Sequence, residues 1–306
     1  MNRFVAPPPG SHGGDGPRLA AALGVSPDEI LDLSVSLNPC APDVSTLVAT
    51  HARAARWYPD PSRASSALAD ALEVDEDRLV VTNGGAEAIA LVAAELPSGD
   101  VDPCDFSLYA RHLERVEPGA PRWRSNPRHP TGMLADAGMR AAVWDEAFYP
   151  LATGTWSRRD PGAIVVGSLT KVFACPGLRA GYVVAPEPQL ARRLRDRQPE
   201  WAVNSLVCAI LPELLAAAEL PAWSATVAEL RRQLDTLLRA HGLRPERSDA
   251  NFVFVREAPH LRDALAARKV LVRDTASLGA PGGVRIGVPG PAGMDRLAGV
   301  LERISR

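Results

Sequence analysis

Lys171 is one of only two lysines among the 34 lysines and arginines of this 306-residue chain. A chain that uses arginine wherever positive charge alone is needed keeps a lysine for what a guanidinium cannot do. Lysine loses its proton when buried or set among other cations and then attacks a carbonyl as a free amine, whereas guanidinium stays charged. Its surroundings fit such a task. Gly167-Ser168-Leu169-Thr170-Lys171 closes an apolar run with two hydroxyls, and a Pro176-Gly177 break leads to Arg179, eight residues on. The other lysine, Lys269 in Ala266-Ala267-Arg268-Lys269-Val270, reads as an ordinary surface residue.

Two further stretches carry complementary chemistry. The apolar run Ala141-Ala142-Val143-Trp144 ends in the carboxylate pair Asp145-Glu146. Leu79-Val80-Val81-Thr82 reads as a buried strand, Asn83-Gly84-Gly85 as a tight turn, and Ala86 to Leu96 as a helix. Strand, glycine turn and helix in that order leave backbone N–H groups and the positive dipole end where a phosphate can sit. Paired glycines also serve as a plain structural turn.

All three groups stand at the carboxyl ends of continuous apolar runs, the third being Ala163-Ile164-Val165-Val166-Gly167. Such runs alternating with helices predict an α/β chain with a mostly parallel sheet covered on both faces. Ligands of such sheets bind beyond the carboxyl ends of the strands, so the glycine turn, Asp145 and Lys171 point at one crevice. A helix is expected from Tyr109 to Val116, and helices dominate from Gln189 to Ala240. After them come a strand at Asn251 to Arg256, a helix at His260 to Arg268, strands at Val270 to Arg273 and Val284 to Val288, and a final helix, which together predict a smaller α+β domain. The expected organisation is an N-terminal arm (1–44) packing with the small domain, a large domain (45–205), and connecting helices with the small C-terminal domain (206–306).

With 46% hydrophobic and 23% charged residues the chain can bury a substantial core. Its net charge of −2 and scattered arginines give no basic stripe for nucleic acid, so small molecules are the expected partners. Met1 to Gly10 lacks a signal-like apolar core, and no run approaches the roughly 18 apolar residues of a membrane span. The expected location is therefore the cytoplasm, away from any membrane. Cys40, Cys104, Cys175 and Cys208 form no Cys-x-x-Cys pair and the histidines no ligand spacing, so reduced buried thiols and no metal are expected.

An amine, a strand-end carboxylate, a phosphate-ready turn and an arginine are what pyridoxal phosphate needs. It requires a lysine for its Schiff base, an acid that keeps the pyridine nitrogen protonated, and donors for its phosphate. The chain resembles the fold-type I enzymes that use this cofactor, the class I/II aminotransferases. Within them it resembles the branch of histidinol-phosphate aminotransferase and cobalamin-pathway threonine-phosphate decarboxylase. The likeness is carried by Ser168-Leu169-Thr170-Lys171 with Pro176-Gly177-Leu178-Arg179-Ala180-Gly181-Tyr182, by Asn126-Pro127-Arg128-His129-Pro130-Thr131-Gly132, and by Val284-Arg285-Ile286-Gly287.

The resemblance implies a large domain with a sheet of the seven-stranded type, here trimmed, and a small α+β domain. It makes Lys171 and Asp145 catalytic, and gives the cofactor phosphate to Gly85, Ala86, Ser168 and Arg179, with Tyr58 reaching a neighbouring subunit's phosphate. Phe106 would stack on the ring and Asn126 bond its hydroxyl. Arg285 would fork onto the substrate carboxylate, with Arg273 sharing that face. Ser11-His12-Gly13-Gly14-Asp15, Leu37-Asn38-Pro39 and Trp201-Ala202-Val203-Asn204-Ser205 look closer to the decarboxylase group. His12, Asn38 and Asn204 thereby join the substrate residues, and a phosphorylated amino acid becomes the expected substrate; His12 also reads as a plain arm residue. A homodimer is implied by the same likeness.

The chain departs from the pattern in three places. Phe148 stands where the family has a tyrosine, so ring-oxygen bonding falls to Asn126 or Tyr149. The spans Tyr109 to Asn126 and Gly132 to Asp145 are short, so either the sheet has lost an edge element or the substrate side is rebuilt. Transamination and decarboxylation remain open, with a histidinol-phosphate-type aminotransferase as the alternative and a cofactor-binding protein without turnover as a further, lesser one. A dinucleotide-binding oxidoreductase finds no Gly-x-Gly-x-x-Gly in the first strand turn.

Overall fold

The three apolar runs become adjacent strands, and their polar ends come out on one edge of a sheet. The chain is seen here in a computed structural model that describes residues 5–304, so Arg3 of the expected arm lies outside it. In chain order the strands are β1 (Leu31–Asp32), β2 (Leu79–Thr82), β3 (Ser98–Val101), β4 (Arg115–Val116), β5 (Arg122–Ser125) and β6 (Val143–Asp145). After them come β7 (Ile164–Gly167), β8 (Gly181–Val184), β9 (Phe252–Val255), β10 (Val270–Leu271), β11 (Arg273–Asp274) and β12 (Val284–Gly287).

Seven of them form one sheet in the order β2-β8-β7-β6-β5-β3-β4, parallel throughout except that β8 runs against β2 and β7. Alternate residues of its strands feed two cores. Leu79, Val81, Val165, Tyr182 and Val184 pack against helices Ser62–Leu72 and Ser205–Ala216. Val80, Val143, Ile164, Val166 and Val183 pack against helices Gly85–Glu95 and Pro188–Arg197. In Ser62–Leu72 the buried Ala64, Leu68 and Leu72 repeat every fourth residue, so one stripe faces the sheet. Each buried leucine contributes roughly 2 kcal/mol.

The large sheet has seven strands, and at its β4 and β5 end it lacks helical cover. β4 and β5, and β5 and β6, are joined by loops without a helix. The helix expected to reach Val116 stops at His112, because Arg115 and Glu117 donate their N–H groups to Pro97 and Gly99 and so join the sheet edge as β4. Where cover is missing, polar side chains take its place. The register sets Arg122 beside Asp100 and Arg124 beside Trp144, and Arg122 reaches Asp100 at 3.1 Å and Asp102 at 3.0 Å. Trp144 is roofed by the Arg158 guanidinium, 5.0 Å from its ring centroid. That guanidinium also donates to the carbonyls of Ala135, Asp136, Ala137 and Met139 at 2.8–3.2 Å.

β9, β11 and β12 make a second, antiparallel sheet in the order β11-β12-β9. The segment expected as one strand, Val270 to Arg273, is divided between two partners. Val270–Leu271 pairs in parallel with β1 of the N-terminal segment, while Arg273–Asp274 pairs with β12. Helix Gly16–Leu23, closed by Gly24 in the left-handed conformation, lays Leu19 and Ala20 on Ala266 and Leu271. Helix Leu220–Ala240 bridges the two bodies: Leu220 and Trp223 enter the large-sheet core, and Leu230, Leu234 and Leu238 the second. Among the described residues no single helix is long and apolar enough to cross a membrane. The four cysteines are free, two of them, Cys175 and Cys208, buried and two half-buried.

Replacing Arg158 by alanine removes the cation that stitches residues 135–139 to Trp144. The expected result is a loss of about 2–3 kcal/mol in denaturant unfolding and faster proteolytic cleavage within 135–139.

Candidate active site

The carboxyl ends of β2, β6 and β7 open into one cavity of about 300 Å3. The turn after β2 brings Gly85 and Ala86, β6 brings Asp145, and the segment after β7 brings Ser168, Lys171 and Arg179. From the second sheet come Arg273 on β11 and Arg285 on β12, and from the arm His12. Phe106, beside helix Ser107–His112, lies in the wall with its ring 5.3 Å from that of His12.

Lys171 Nζ donates to the Val35 carbonyl at 3.2 Å. Burial first, then Arg285, Arg273 and Arg179, bring its amine down to about 8, with Asp32 opposing them. About a tenth of the amine is thus unprotonated at pH 7, far more than for an ordinary lysine, and this is the form that carbonyl attack requires. Asp145 is pushed up to about 6 by burial, against two donors that favour the carboxylate. These are the Tyr109 hydroxyl at 2.8 Å and the Ala147 N–H at 3.0 Å. A cation laid on this carboxylate would bring it down again, so the site is charged to receive a protonated ring nitrogen.

At the phosphate end, helix Gly85–Glu95 begins without a side-chain cap, which leaves its first N–H groups for an anion. A Cβ on Gly84 would be strained at φ +81° and would stand 2.6 Å from Arg179 Nη2, so that guanidinium would have to move. Arg179 is itself held at φ +59°. Strain of this kind persists where the surroundings over-determine the backbone, and here it sets a guanidinium beside a helix N-terminus and the Ser168 hydroxyl.

At the opposite end Arg273 and Arg285 face each other directly across β11 and β12. Both are buried, each has a buried Nε without a partner, and among the described residues neither has a carboxylate within 4 Å. Burial brings Arg273 down to about 10, and burial together with Arg273 brings Arg285 well below its usual value. Arg273 Nη2 reaches the Ser11 carbonyl at 3.4 Å, and Arg285 Nη1 reaches Nδ1 of His129 at 3.0 Å. Burial, then Arg285, Arg273 and Lys171, hold His129 well below its ordinary value, so its imidazole is neutral. His12 is also lowered, by burial and then by Arg273 and Arg111.

Four of the expected site residues do not line this cavity. Asn126 is not part of the cavity lining, where His129 is: its Oδ1 accepts from the Ala135 N–H at 2.9 Å, while its buried Nδ2 has no partner and stays free to donate. Asn38 gives its amide to the Val172 carbonyl and its oxygen to the Cys40 N–H, so it anchors backbone. Asn204 caps helix Ser205–Ala216 through the Val207 N–H and donates to the Leu178 carbonyl, pinning the loop that carries Arg179. Tyr58 is 78% exposed, with its ring 4.5 Å from that of Trp201. Tyr149 lines a separate surface groove beside Arg158, so it supplies no ring-oxygen partner.

Two residues of the site escaped sequence reading. His129 stood inside the quoted Asn126–Gly132 stretch, and Tyr109 three residues beyond Phe106, one helical turn away. Only spacing hinted at either, and only the folded backbone shows which group each one faces.

The lining fits pyridoxal phosphate: a free amine, a buried carboxylate needing a cation, and an uncapped helix start beside Ser168 and Arg179. Capture of the cofactor by the cofactor-free chain should slow about tenfold per pH unit below about 8 in stopped-flow absorbance, and Lys171→Arg should abolish it. Tyr109→Phe removes a donor to the Asp145 carboxylate and so raises its pKa further. At pH 7 more of Asp145 is then neutral, and cofactor affinity by equilibrium dialysis should fall about tenfold.

Comparison with known proteins agrees with this geometry. The family model for aminotransferase class I and II matches residues 126–301. The threonine-phosphate decarboxylase of Salmonella typhimurium is 27% identical over 354 residues, 96% of each chain. One from Sinorhizobium sp is 30% identical over 334 residues, 96% of this chain and 98% of the relative. In fold, the chain matches histidinol-phosphate aminotransferase from Sinorhizobium meliloti, solved in complex with pyridoxal 5'-phosphate, at a TM-score of 0.78, with 18% identity and 94% of each chain covered. With its lysine, carboxylate and phosphate cradle in one cavity, the chain belongs to the class I and II aminotransferase family and is an enzyme that uses pyridoxal phosphate.

Proposed function

We propose that this enzyme acts at the α-carbon of a phosphorylated amino acid, decarboxylating a compound such as threonine phosphate in cobalamin biosynthesis, as a cytoplasmic homodimer. The reading rests on Arg273 and Arg285. Like charges directly opposite one another on neighbouring strands repel, and burial adds several kcal/mol for each unpaired ion. A ligand with two anionic groups removes both costs. An amino acid phosphate has a carboxylate and a phosphate to offer, whereas histidinol phosphate has no carboxylate and would leave one guanidinium unpaired. That favours this reading over the alternative, a histidinol-phosphate-type aminotransferase.

When bound, pyridoxal phosphate supplies an aldehyde for the substrate amine and a conjugated ring that accepts the electron pair of the broken bond. Gly85, Ala86, Ser168 and Arg179 would hold its phosphate, Phe106 would cover a ring face, and Asp145 would keep its negative charge against the ring nitrogen. Lys171 would hold or return a proton at Nζ beside the α-carbon, for which an amine near 8 is suited. Arg285 would orient the substrate carboxylate, and Arg273 with His12 would take the substrate phosphate. Tyr58 and Trp201, exposed together, support a shared subunit boundary at which Tyr58 would meet the partner's cofactor phosphate. The arm (1–44), large domain (45–205) and small domain (206–306) remain our division of the chain.

The loaded protein incubated with L-threonine phosphate should release carbon dioxide and the amino alcohol phosphate without a 2-oxo acid. Amino transfer to a 2-oxo acid would overturn decarboxylation, and retention of cofactor with no turnover would favour a carrier. Arg273→Leu should lower kcat/KM for threonine phosphate about a hundredfold and leave weak turnover of threonine itself little changed.

A further inference from the structure

We infer that His129 is a positioning residue for the substrate carboxylate: its Nδ1 accepts a hydrogen bond from Arg285 Nη1, which fixes the guanidinium fork and leaves Nε2–H as the donor His129 offers the cavity. The inference rests on Arg285 as the carboxylate site.

The bond is 3.0 Å long and both side chains are buried. A guanidinium can only donate, so the imidazole nitrogen facing it must carry a lone pair, and the proton of the neutral ring then sits on Nε2. His129 provides the hydrogen-bond acceptor recorded for the Arg285 side chain, whose Nε stays unpartnered for a ligand. Two ring faces also lie against Arg285, Phe252 at 4.5 Å and Phe148 at 5.6 Å from the guanidinium carbon. Those faces attract the cation without choosing its rotation, whereas the directional bond to Nδ1 does choose it.

The backbone of His129 is tied down and its ring is packed between aromatic neighbours. Its backbone N–H donates to Ser125 Oγ at 3.0 Å, and that hydroxyl donates to Asp105 Oδ1 at 2.6 Å. Its ring lies nearly parallel to Phe252, 12° apart with centroids at 6.0 Å, and edge-on to Phe148 at 5.8 Å. Asp105, Ser125, His129 and Arg285 thus form a line from the end of β5 in the large sheet to β12 in the small one. Without it, repulsion from Arg273 directly opposite would turn the Arg285 fork aside. A proton-transfer role is a poor fit, since one nitrogen is engaged and Arg285, Arg273 and Lys171 all bear on the ring.

The experiment compares two unreactive ligands of the cofactor-loaded enzyme, 3-phosphonopropionate, which has a carboxylate, and propylphosphonate, which has none. His129→Leu should weaken 3-phosphonopropionate about tenfold by calorimetry and leave propylphosphonate within about twofold, the loss of one charge-assisted hydrogen bond. His129→Gln, whose amide oxygen can accept the same bond, should recover most of the loss. Nitrogen-15 NMR of the wild-type imidazole at pH 7 should show one neutral tautomer with its proton on Nε2. Equal losses for both ligands, no loss, or an imidazolium signal would overturn the assignment. Arg285→Leu is the control: if it spares the preference for the carboxylate ligand, the carboxylate site itself is misplaced, an outcome distinct from failure of the His129 variant alone.

Discussion

The constraint on which this structure depends is the burial of like charge. Lys171, Arg179, Arg273 and Arg285 share one cavity in which Asp145 is the acid of the lining. Taking ions out of water costs several kcal/mol each even after relaxation. Here that cost is left for ligands to offset, and it does chemical work meanwhile. Burial, joined by the same three arginines that need anions, brings the Lys171 amine down, while burial pushes Asp145 up. Cofactor and substrate are thus written into the site as missing charges.

Such a site has to be braced against its own repulsion, and the bracing is backbone geometry. Arg179 is held on a strained turn with Asn204 fastening the loop beneath it. Arg273 and Arg285 are held by strand pairing, and β12 is tied to the N-terminal segment where Gly287 N–H meets the Leu33 carbonyl at 2.7 Å. The arm approaches so closely that a Cβ on Gly13 would lie 2.2 Å from the Ser34 oxygen, which is how His12 is brought into the cavity wall. Side chains alone, each with several rotamers, could not hold four cations at these positions.

The economy of the rest of the chain follows from where precision is needed. The strands whose ends build the site, β2, β6 and β7, are buried along their whole length. Cover has been dropped toward the β5, β3, β4 edge, where the alternation in Arg122-Trp123-Arg124-Ser125 already provides one apolar and one polar face. A parallel sheet normally needs helices on both sides. Arginine–aspartate pairs and the Arg158 roof over Trp144 substitute for one of them.

Much of this was legible in the residues themselves. Continuous apolar runs between glycine turns specify buried parallel strands, and a scarce lysine, a strand-end aspartate and a glycine turn mark chemistry by type and place. Lys171, Asp145 and Arg179 could be named because their roles attach to strand ends, whose position follows from local pattern. Asn38, Asn126 and Asn204 could not be sorted the same way, because an amide serves a ligand and a backbone carbonyl equally well. The choice depends on which lies within about 3 Å after folding. Val270 to Arg273 likewise had the pattern of one strand, and only the meeting of the arm with β12 divided it. The bond from Arg285 to His129 joins residues 156 apart in sequence, and that from Tyr109 to Asp145 joins residues 36 apart. Residue type determined which groups could carry charge or lose a proton; the tertiary structure decided which of them share one buried cavity, and therefore which way each proton goes.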